Sequence, residues 1–471
     1  MRHTSNVRKT APSAVIFALL LWAATISAQT VRDIYTFTGG SSSIPGGVTP
    51  TQGRDGLLYG TTADTTIGTI FRLAPTGRFH QLHIFDGPNG AQSNSAPTLA
   101  GGGGFFGTAY SGGISKNGVL FKISSRGTYT VLHQFAGGSD GAEPSGQPIV
   151  AMDGNLYGTT YGNATTGATV YKYNRSTGVF ATLYQFDSAH GASVLSPLIQ
   201  AADGSLYGTA SKGGANNCGT IFKLTTSGEL LWYYSFPCQP GGANPVGPLT
   251  QADDGNFYGT TQLGGSVGVG TVFSLDQSGT VTVLYSFQSF AVSPADGSNP
   301  FGGLVQATDG MLYGTTNAAG SNNLGTLYQI TTTGTYKQIF SFYKNIGSGP
   351  SASLLQHTNG RLYGTTFVGG KLNFGTVFSL DMGLGPFAAL VSYTGKVGGT
   401  AEILSQGLTG ATKVTFNGIA ATNFTVVSDT FMTAVVPSGA TTGPVVVTTP
   451  GGTLTSNKNF MVLGAASKPL K

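Results

Sequence analysis

An aromatic residue followed by Gly-Thr recurs seven times along the chain, centred on Tyr59, Phe106, Tyr157, Tyr207, Tyr258, Tyr313 and Tyr363. Successive copies lie 47, 51, 50, 51, 55 and 50 residues apart. A period near 50 residues marks a repeat architecture, in which each unit buries its apolar face only against its neighbours. Aligning the copies shows four strand-like runs per unit. In the fifth they are 247–252, 256–261, 270–275 and 280–287, rich in Val, Thr, Leu and aromatics and bounded by turn formers. Asp-Gly or its equivalent joins the first two runs, as at Asp55-Gly56 and Asn359-Gly360. That pair predicts a two-residue hairpin turn with both central residues at positive φ. The second copy departs, with glycines from Gly101 to Gly104.

Seven units of four antiparallel strands predict an all-β chain and a seven-bladed β-propeller. The seventh unit ends after its third run, 375–380, whereas the exported chain would open with a lone run, 31–37. Ile34-Tyr35-Thr36-Phe37 matches Leu284-Tyr285-Ser286-Phe287, the fourth run of another copy. The N-terminal strand is therefore expected to complete the last blade and close the ring, leaving no bare edge there. Beyond it the repeat disappears, and alternating runs at 413–416, 424–427, 433–436 and 445–449 predict a small Ig-like β-sandwich. The expected domains are a signal peptide at 1–28, the propeller at 29–382, the sandwich at 383–463 and a flexible tail at 464–471.

Arg2, Arg8 and Lys9 precede an apolar run from Ala14 to Ala24, and small residues end at Ala28. This is a secretory signal with cleavage after Ala28, too short to span a bilayer. The expected location is extracellular or at the cell surface, with the periplasm as an alternative. Removing the signal leaves 20 basic and 18 acidic residues, a net charge of +2. No Lys/Arg cluster survives, so nothing argues for a nucleic-acid partner and none is expected. Cys218 and Cys238 flank a hairpin turn at Thr226-Ser227-Gly228, which brings them nearly opposite each other and predicts a disulfide in an oxidising compartment.

The phrase Asp-Gly-x-Leu-Tyr-Gly-Thr-Thr, then a Gly-rich gap, then Gly-Thr-Val-Phe, resembles the GloVer tandem repeat of exported bacterial proteins. It covers about residues 31–381, and the resemblance implies export but no particular activity. The C-terminal segment is similar to the IPT/TIG immunoglobulin-like domain through Val414-Thr415-Phe416-Asn417-Gly418, Ser428-Asp429-Thr430, Val436-Pro437-Ser438-Gly439 and Thr442-Gly443-Pro444-Val445. Such modules imply a spacer or accessory binding domain.

Chemistry is sparse. The longer connections, between runs two and three and between units, are expected on one face over the central channel, where a ligand would bind. They carry Tyr110, Tyr161, Asn163, Asn216, Asn217, Asn322, Asn323 and Asn373, with Lys116, Lys212 and Lys371 scattered among them. Aromatics and amides suit a neutral glycan, although asparagine in such loops is also an ordinary turn former. Within the loops between units Asp140 with Glu143 is the close acidic pair, a candidate for glycosidase chemistry or a cation. Asp86, Asp140, Asp187 and Asp296 recur at like positions, which argues for a shared turn role. Gly137-Gly138-Ser139-Asp140-Gly141 and Gly264-Gly265-Ser266-Val267-Gly268 match the nucleophile-elbow string without a following helical pattern. His80 and His83 are expected on opposite strand faces, His133 in packing, and the seven phrase aromatics between blades, with the phrase threonines as ordinary cross-strand residues. No catalytic residue, metal ligand or cofactor is expected. The leading reading is an exported, non-catalytic binding or scaffolding module for an extracellular polysaccharide or cell-surface component. The alternative is a polysaccharide hydrolase or lyase with its site over the channel.

Overall fold

A computed structural model describes residues 29–40, 45, 47–63, 67–161, 167–288 and 296–464. The expected signal segment 1–28, Asn163 and the expected tail from residue 465 to 471 lie outside the described residues. Apart from a 3-10 turn at Gly138–Asp140, the regular structure of the described residues is all β. The first six repeats each form a four-stranded antiparallel sheet in chain order, and the seventh forms a five-stranded one that also takes in Ser348–Pro350. The first is built from Thr51–Gln52, Leu58–Thr62, Thr69–Leu73 and Phe79–Ile84. The seventh uses Leu355–Gln356, Leu362–Val368, Thr376–Asp381 and, as its fourth strand, the N-terminal Thr30–Thr36. That last pairing runs from Thr30 opposite Asp381 to Thr36 opposite Thr376.

Three local expectations are corrected. The first strand of the fifth repeat is only Thr250–Gln251, not 247–252. Pro248 has no N–H for a ladder, and the Gly247 carbonyl accepts the Thr209 hydroxyl of the preceding repeat at 3.1 Å. The Asp-Gly turns are three-residue loops, not two-residue ones. Gly56 N donates to Gly53 O at 3.1 Å and Gly53 N to Leu57 O at 2.8 Å, and Gly56 takes the left-handed φ of +70°. Asp55 keeps an ordinary φ because its carboxylate caps the loop, accepting Leu57 N at 3.2 Å and the Tyr59 hydroxyl at 2.8 Å. The third concerns His80 and His83. Opposite Ile70/Phe71 the fourth strand carries a bulge, so His80 faces Arg72 and His83 faces Ile70. The extra residue returns both histidines to one face, where an odd separation would have split them.

The repeated phrase is the inter-repeat joint. Its aromatics are at most 8% exposed, and Tyr59 stacks on Phe105 of the next repeat at 4.1 Å. Its glycine has no alternative: a Cβ on Gly60 would lie 2.5 Å from the Phe71 ring that crosses it. The second threonine pairs across the sheet as expected, with Thr366 to Thr376 at 2.9 Å. The first does something else. Thr159 donates to Ser196 O at 3.1 Å, Thr260 to Gly302 O at 2.8 Å and Thr315 to Ala352 O at 3.3 Å, each a carbonyl of the following repeat. Thr365 of the seventh repeat donates to Val48 O of the first at 3.0 Å. A glutamine adds a second clasp. Gln251 accepts Ala202 N at 3.1 Å, Gln306 accepts Asp253 N at 2.9 Å, and Gln52 accepts Thr358 N at 2.9 Å. The junction from last repeat to first is thus made by the same bonds as the internal ones.

Residues 388–463 form two further four-stranded sheets. One contains Thr400–Leu404 and Phe431–Val435, the other Lys413–Phe416 and Val445–Thr449. Ile403, Met432, Val414, Phe416 and Val447 from both sheets fill one core. These sheets dock on the tight-turn side of the repeats. Glu402 pairs with Arg54 at 2.5 Å and accepts Gly102 N at 3.0 Å, while the Arg54 guanidinium sits 4.4 Å over Phe431. Farther round, Lys458 reaches Asp253 at 2.9 Å and Gln251 O at 3.2 Å.

The last-to-first junction also holds a buried histidine. His357 Nε2 donates to Gly56 O at 3.0 Å and Nδ1 accepts Asn359 N at 3.1 Å, which selects the neutral tautomer. Burial, the main cause, holds its pKa below the usual 6.5. The unfolded chain therefore takes up the proton first as pH falls. This contribution to stability is complete above about pH 6.5 and lost as pH drops below it. Denaturant unfolding across pH 7.5–5 is expected to show a falling midpoint, with a shallower acid limb in His357→Asn. Replacing Thr365 by Val leaves the Val48 carbonyl without its partner and should cost roughly 1–2 kcal/mol. Thr260→Val at an internal junction should lower the unfolding midpoint by the same amount.

Candidate functional site

Segments preceding the first strand of each repeat converge on a cavity of about 110 Å³. All seven repeats contribute, through residues such as Val48, Ser95, Ser145, Pro197, Gly247, Gly302 and Ser353. Its wall combines backbone, hydroxyls and small side chains with the larger Asn94, Gln147, Leu195 and Phe301. Ser145 Oγ donates to Val194 O and Thr49 Oγ1 to Ser353 O, both at 3.0 Å, whereas the buried hydroxyls of Ser351 and Ser353 have no protein partner among the described residues. The docked C-terminal sheets occupy the tight-turn side, so the longer loops form the opposite, open side.

At that open side five of the connections between repeats pass through one left-handed non-glycine residue. Gln92, Glu143, Ser193, Asn244 and Asn299 have φ between 54° and 60°. Each carbonyl receives the N–H of the residue that follows the repeated phrase, as in Tyr110 N to Gln92 O at 3.0 Å and Tyr161 N to Glu143 O at 3.0 Å. Because Glu143 is two residues before the cavity-lining Ser145, these residues form a rim around the opening. The side chains are mostly neutral hydrogen-bonding groups, and Asn244 Nδ2 donates to Gln262 Oε1 at 3.1 Å. Glu143 is the exception. Its carboxylate accepts the Tyr110 hydroxyl at 2.6 Å. Burial, then the bond and charge of Glu143, then neighbouring Tyr161 raise the Tyr110 phenol pKa well above 10.

Asp140 does not join Glu143 in a carboxylate pair. Its oxygens receive His133 Nε2 at 3.0 Å and Ala136 N at 2.6 Å, closing its own turn. Asp86 and Asp187 likewise accept the amides of Asn89 and His190, both at 2.8 Å. These turn bonds hold both carboxyls below the usual range. His133 lies flat on Phe180 at 3.6 Å and His83 on Tyr129 at 4.0 Å, which makes them members of an outer stack between repeats. Among the described residues no three His, Cys, Asp or Glu side chains gather into a metal site.

The loop asparagines use their amides internally. Asn217 Oδ1 accepts Gly213 N at 2.9 Å, Asn323 Oδ1 accepts Ala319 N at 3.3 Å and Asn373 Oδ1 accepts Gly369 N at 3.2 Å. All three take left-handed φ, of 54°, 57° and 64°. Asn216 and Asn322 donate to Phe236 O and Phe342 O at 3.4 and 3.0 Å. Lys116, Lys212 and Lys371 are exposed on the same loops. Cys218 and Cys238 form a disulfide with Cα atoms 5.4 Å apart, tying the base of one such loop. Gln92, Asn244 and Gln262 were not singled out from the sequence. Aligning the residue after each phrase (Ala63, Tyr110, Tyr161, Ser211, Gln262, Asn317, Phe367) would have exposed the rim, since that column varies where the phrase does not.

Residues 15–201, 124–296 and 195–428 match the Gloeobacter/Verrucomicrobia repeat. Among curated proteins none matches. Among solved structures the chain is similar to a structural-genomics protein of unknown function from Bacteroides thetaiotaomicron, at 12% identity and TM-score 0.43, covering 75% of this chain and 76% of that one. It is similar to an oligogalacturonate lyase from Vibrio parahaemolyticus at 12% identity and TM-score 0.46, covering 74% and 93%. A gluconolactonase from Xanthomonas campestris matches at 12% identity and TM-score 0.39, covering 79% and 95%. At such identities none of them speaks to the chemistry of this chain.

Replacing Glu143 by Gln removes a charge and keeps the side chain's shape. The Tyr110 phenol should then titrate at lower pH, though still above 10 because burial remains. Difference absorbance at 295 nm against Tyr110→Phe reads the shift.

Proposed function

The chain belongs to the Gloeobacter/Verrucomicrobia repeat family, and on that premise we propose an exported, closed seven-bladed propeller that binds a glycan at its open rim without transforming it. The N-terminal strand on Thr376–Asp381, the Thr365 and Gln52 clasps and the seven-sided cavity support closure. The two C-terminal sheets around one core suit an Ig-like sandwich of IPT/TIG type, held as a rigid accessory on the far face. Export rests on the basic and apolar segment at 1–28, and the disulfide accords with it.

The observation that carries the binding role is the Tyr110–Glu143–Tyr161 group set among neutral amides. Tyrosine faces pack against sugar C–H surfaces, while a carboxylate and amides accept and donate to hydroxyls. The same group argues against hydrolysis. A glycosidase needs two carboxyls flanking one bond, and Asp140 is committed to its own turn while Glu143 is held by Tyr110.

Titration of the exported chain against a neutral glycan panel, with reducing-sugar release followed in parallel, tests both readings. Binding without release is expected, and Tyr110→Ala should weaken it at least tenfold. Release that disappears in Glu143→Gln would establish the hydrolase instead.

A further inference from the structure

One loop of the rim departs from the others. The hairpin between Leu362–Val368 and Thr376–Asp381 exposes Phe367 by 47%, Leu372 by 48% and Phe374 by 37%. Tyr343, 44% exposed, is brought alongside by the bond from Gly370 N to Lys344 O at 2.7 Å. In the fourth and sixth repeats the residues aligned with Lys371–Phe374 are Ala215, Asn216, Asn217 and Cys218, and Ser321, Asn322, Asn323 and Leu324. Leu372 thus replaces an amide and Phe374 enlarges a position that is apolar elsewhere; the second repeat exposes one isolated apolar residue there, Ile114. A soluble chain leaves large apolar groups clustered like this where something covers them.

Phe367 holds the rim position of Tyr110 and Tyr161, so the patch is continuous with the proposed opening. Phe374 is braced from below: a Cβ on Gly39, just past the closing strand, would stand 2.8 Å from its ring. Phe367 within a strand, Phe374 two residues before the next one and Tyr343 beside them present flat faces at little entropic cost. Only Lys344 and Lys371 accompany them within these segments. That is fewer than the four to eight cations of an anionic-membrane site. The rim's neutral amides and the single carboxylate Glu143 disfavour a polyanion.

Resting on the glycan reading above, we propose that the occupant is a neutral polysaccharide several sugar units long. It engages Tyr110, Glu143 and Tyr161 at one point and Phe367, Phe374 and Tyr343 at another. Affinity should therefore rise with chain length, because the second contact becomes effectively intramolecular.

Calorimetry with cello-, manno- and xylo-oligosaccharides of two to eight units, in the full exported chain, tests this. Within a series that binds, affinity is expected to rise at least tenfold from the shortest to the longest member. Phe374→Ser with Tyr343→Ser should abolish that rise and leave the shortest oligomer's affinity unchanged. Tyr110→Ala should weaken every length. Length-independent affinity, tighter binding of polygalacturonate, or capture by phosphatidylglycerol vesicles that the double variant loses would overturn the proposal. Length-independent affinity that Tyr110→Ala still weakens would overturn the second contact alone and leave the binding role standing. No binding of any neutral or acidic glycan would overturn both. Unchanged thermal midpoints in the variants exclude misfolding as the cause.

Discussion

The structure depends on a hydroxyl that leaves its own sheet. In all seven repeats the first threonine of the phrase donates to a carbonyl in the next repeat's inner segment, the seventh to the first. A buried carbonyl without a partner is costly, so the bond sets where the following segment must run. Since Val48 is the acceptor at the last-to-first junction, this requirement has no free end.

The other members of the phrase are consistent with that joint. The aromatic packs on the next repeat while its hydroxyl returns to the aspartate that shapes the turn, as Tyr258 does to Asp254 at 2.6 Å and Tyr313 to Asp309 at 2.7 Å. The second repeat tests the link internally. Phe106 has no hydroxyl, and there the turn has glycines where five of the others have an aspartate and the seventh has Asn359. One short phrase thus serves turn, core and junction together, and such agreement between levels makes a sequence specify one arrangement.

The two sides of the molecule have different fates. Tight turns on one side present short backbone and a few charges, and the C-terminal sheets cover them through Glu402, Phe431 and Lys458. On the other side the loops are longer and differ between repeats, which breaks the symmetry where a ligand would need it broken. Tyr110, Gln262 and Phe367 hold one position of the repeat, yet Tyr110 meets Glu143, Gln262 meets Asn244 and Phe367 stands exposed.

The strand content, the seven-fold register, the disulfide partners and the missing fourth strand of the last repeat were all legible in the residues. Each depends on local spacing, which a linear chain displays directly. The histidine faces were misread because a bulge adds one residue to a strand without any marker in the chain. The fate of the loop asparagines was also hidden, since an amide closing its own turn has the same sequence as one facing a ligand. Sequence alone determined which segments are equivalent, because equivalence is periodicity. Only the tertiary structure decided which equivalent positions meet, because hydroxyl-to-carbonyl contacts between repeats some fifty residues apart arise from packing in space rather than from neighbouring letters.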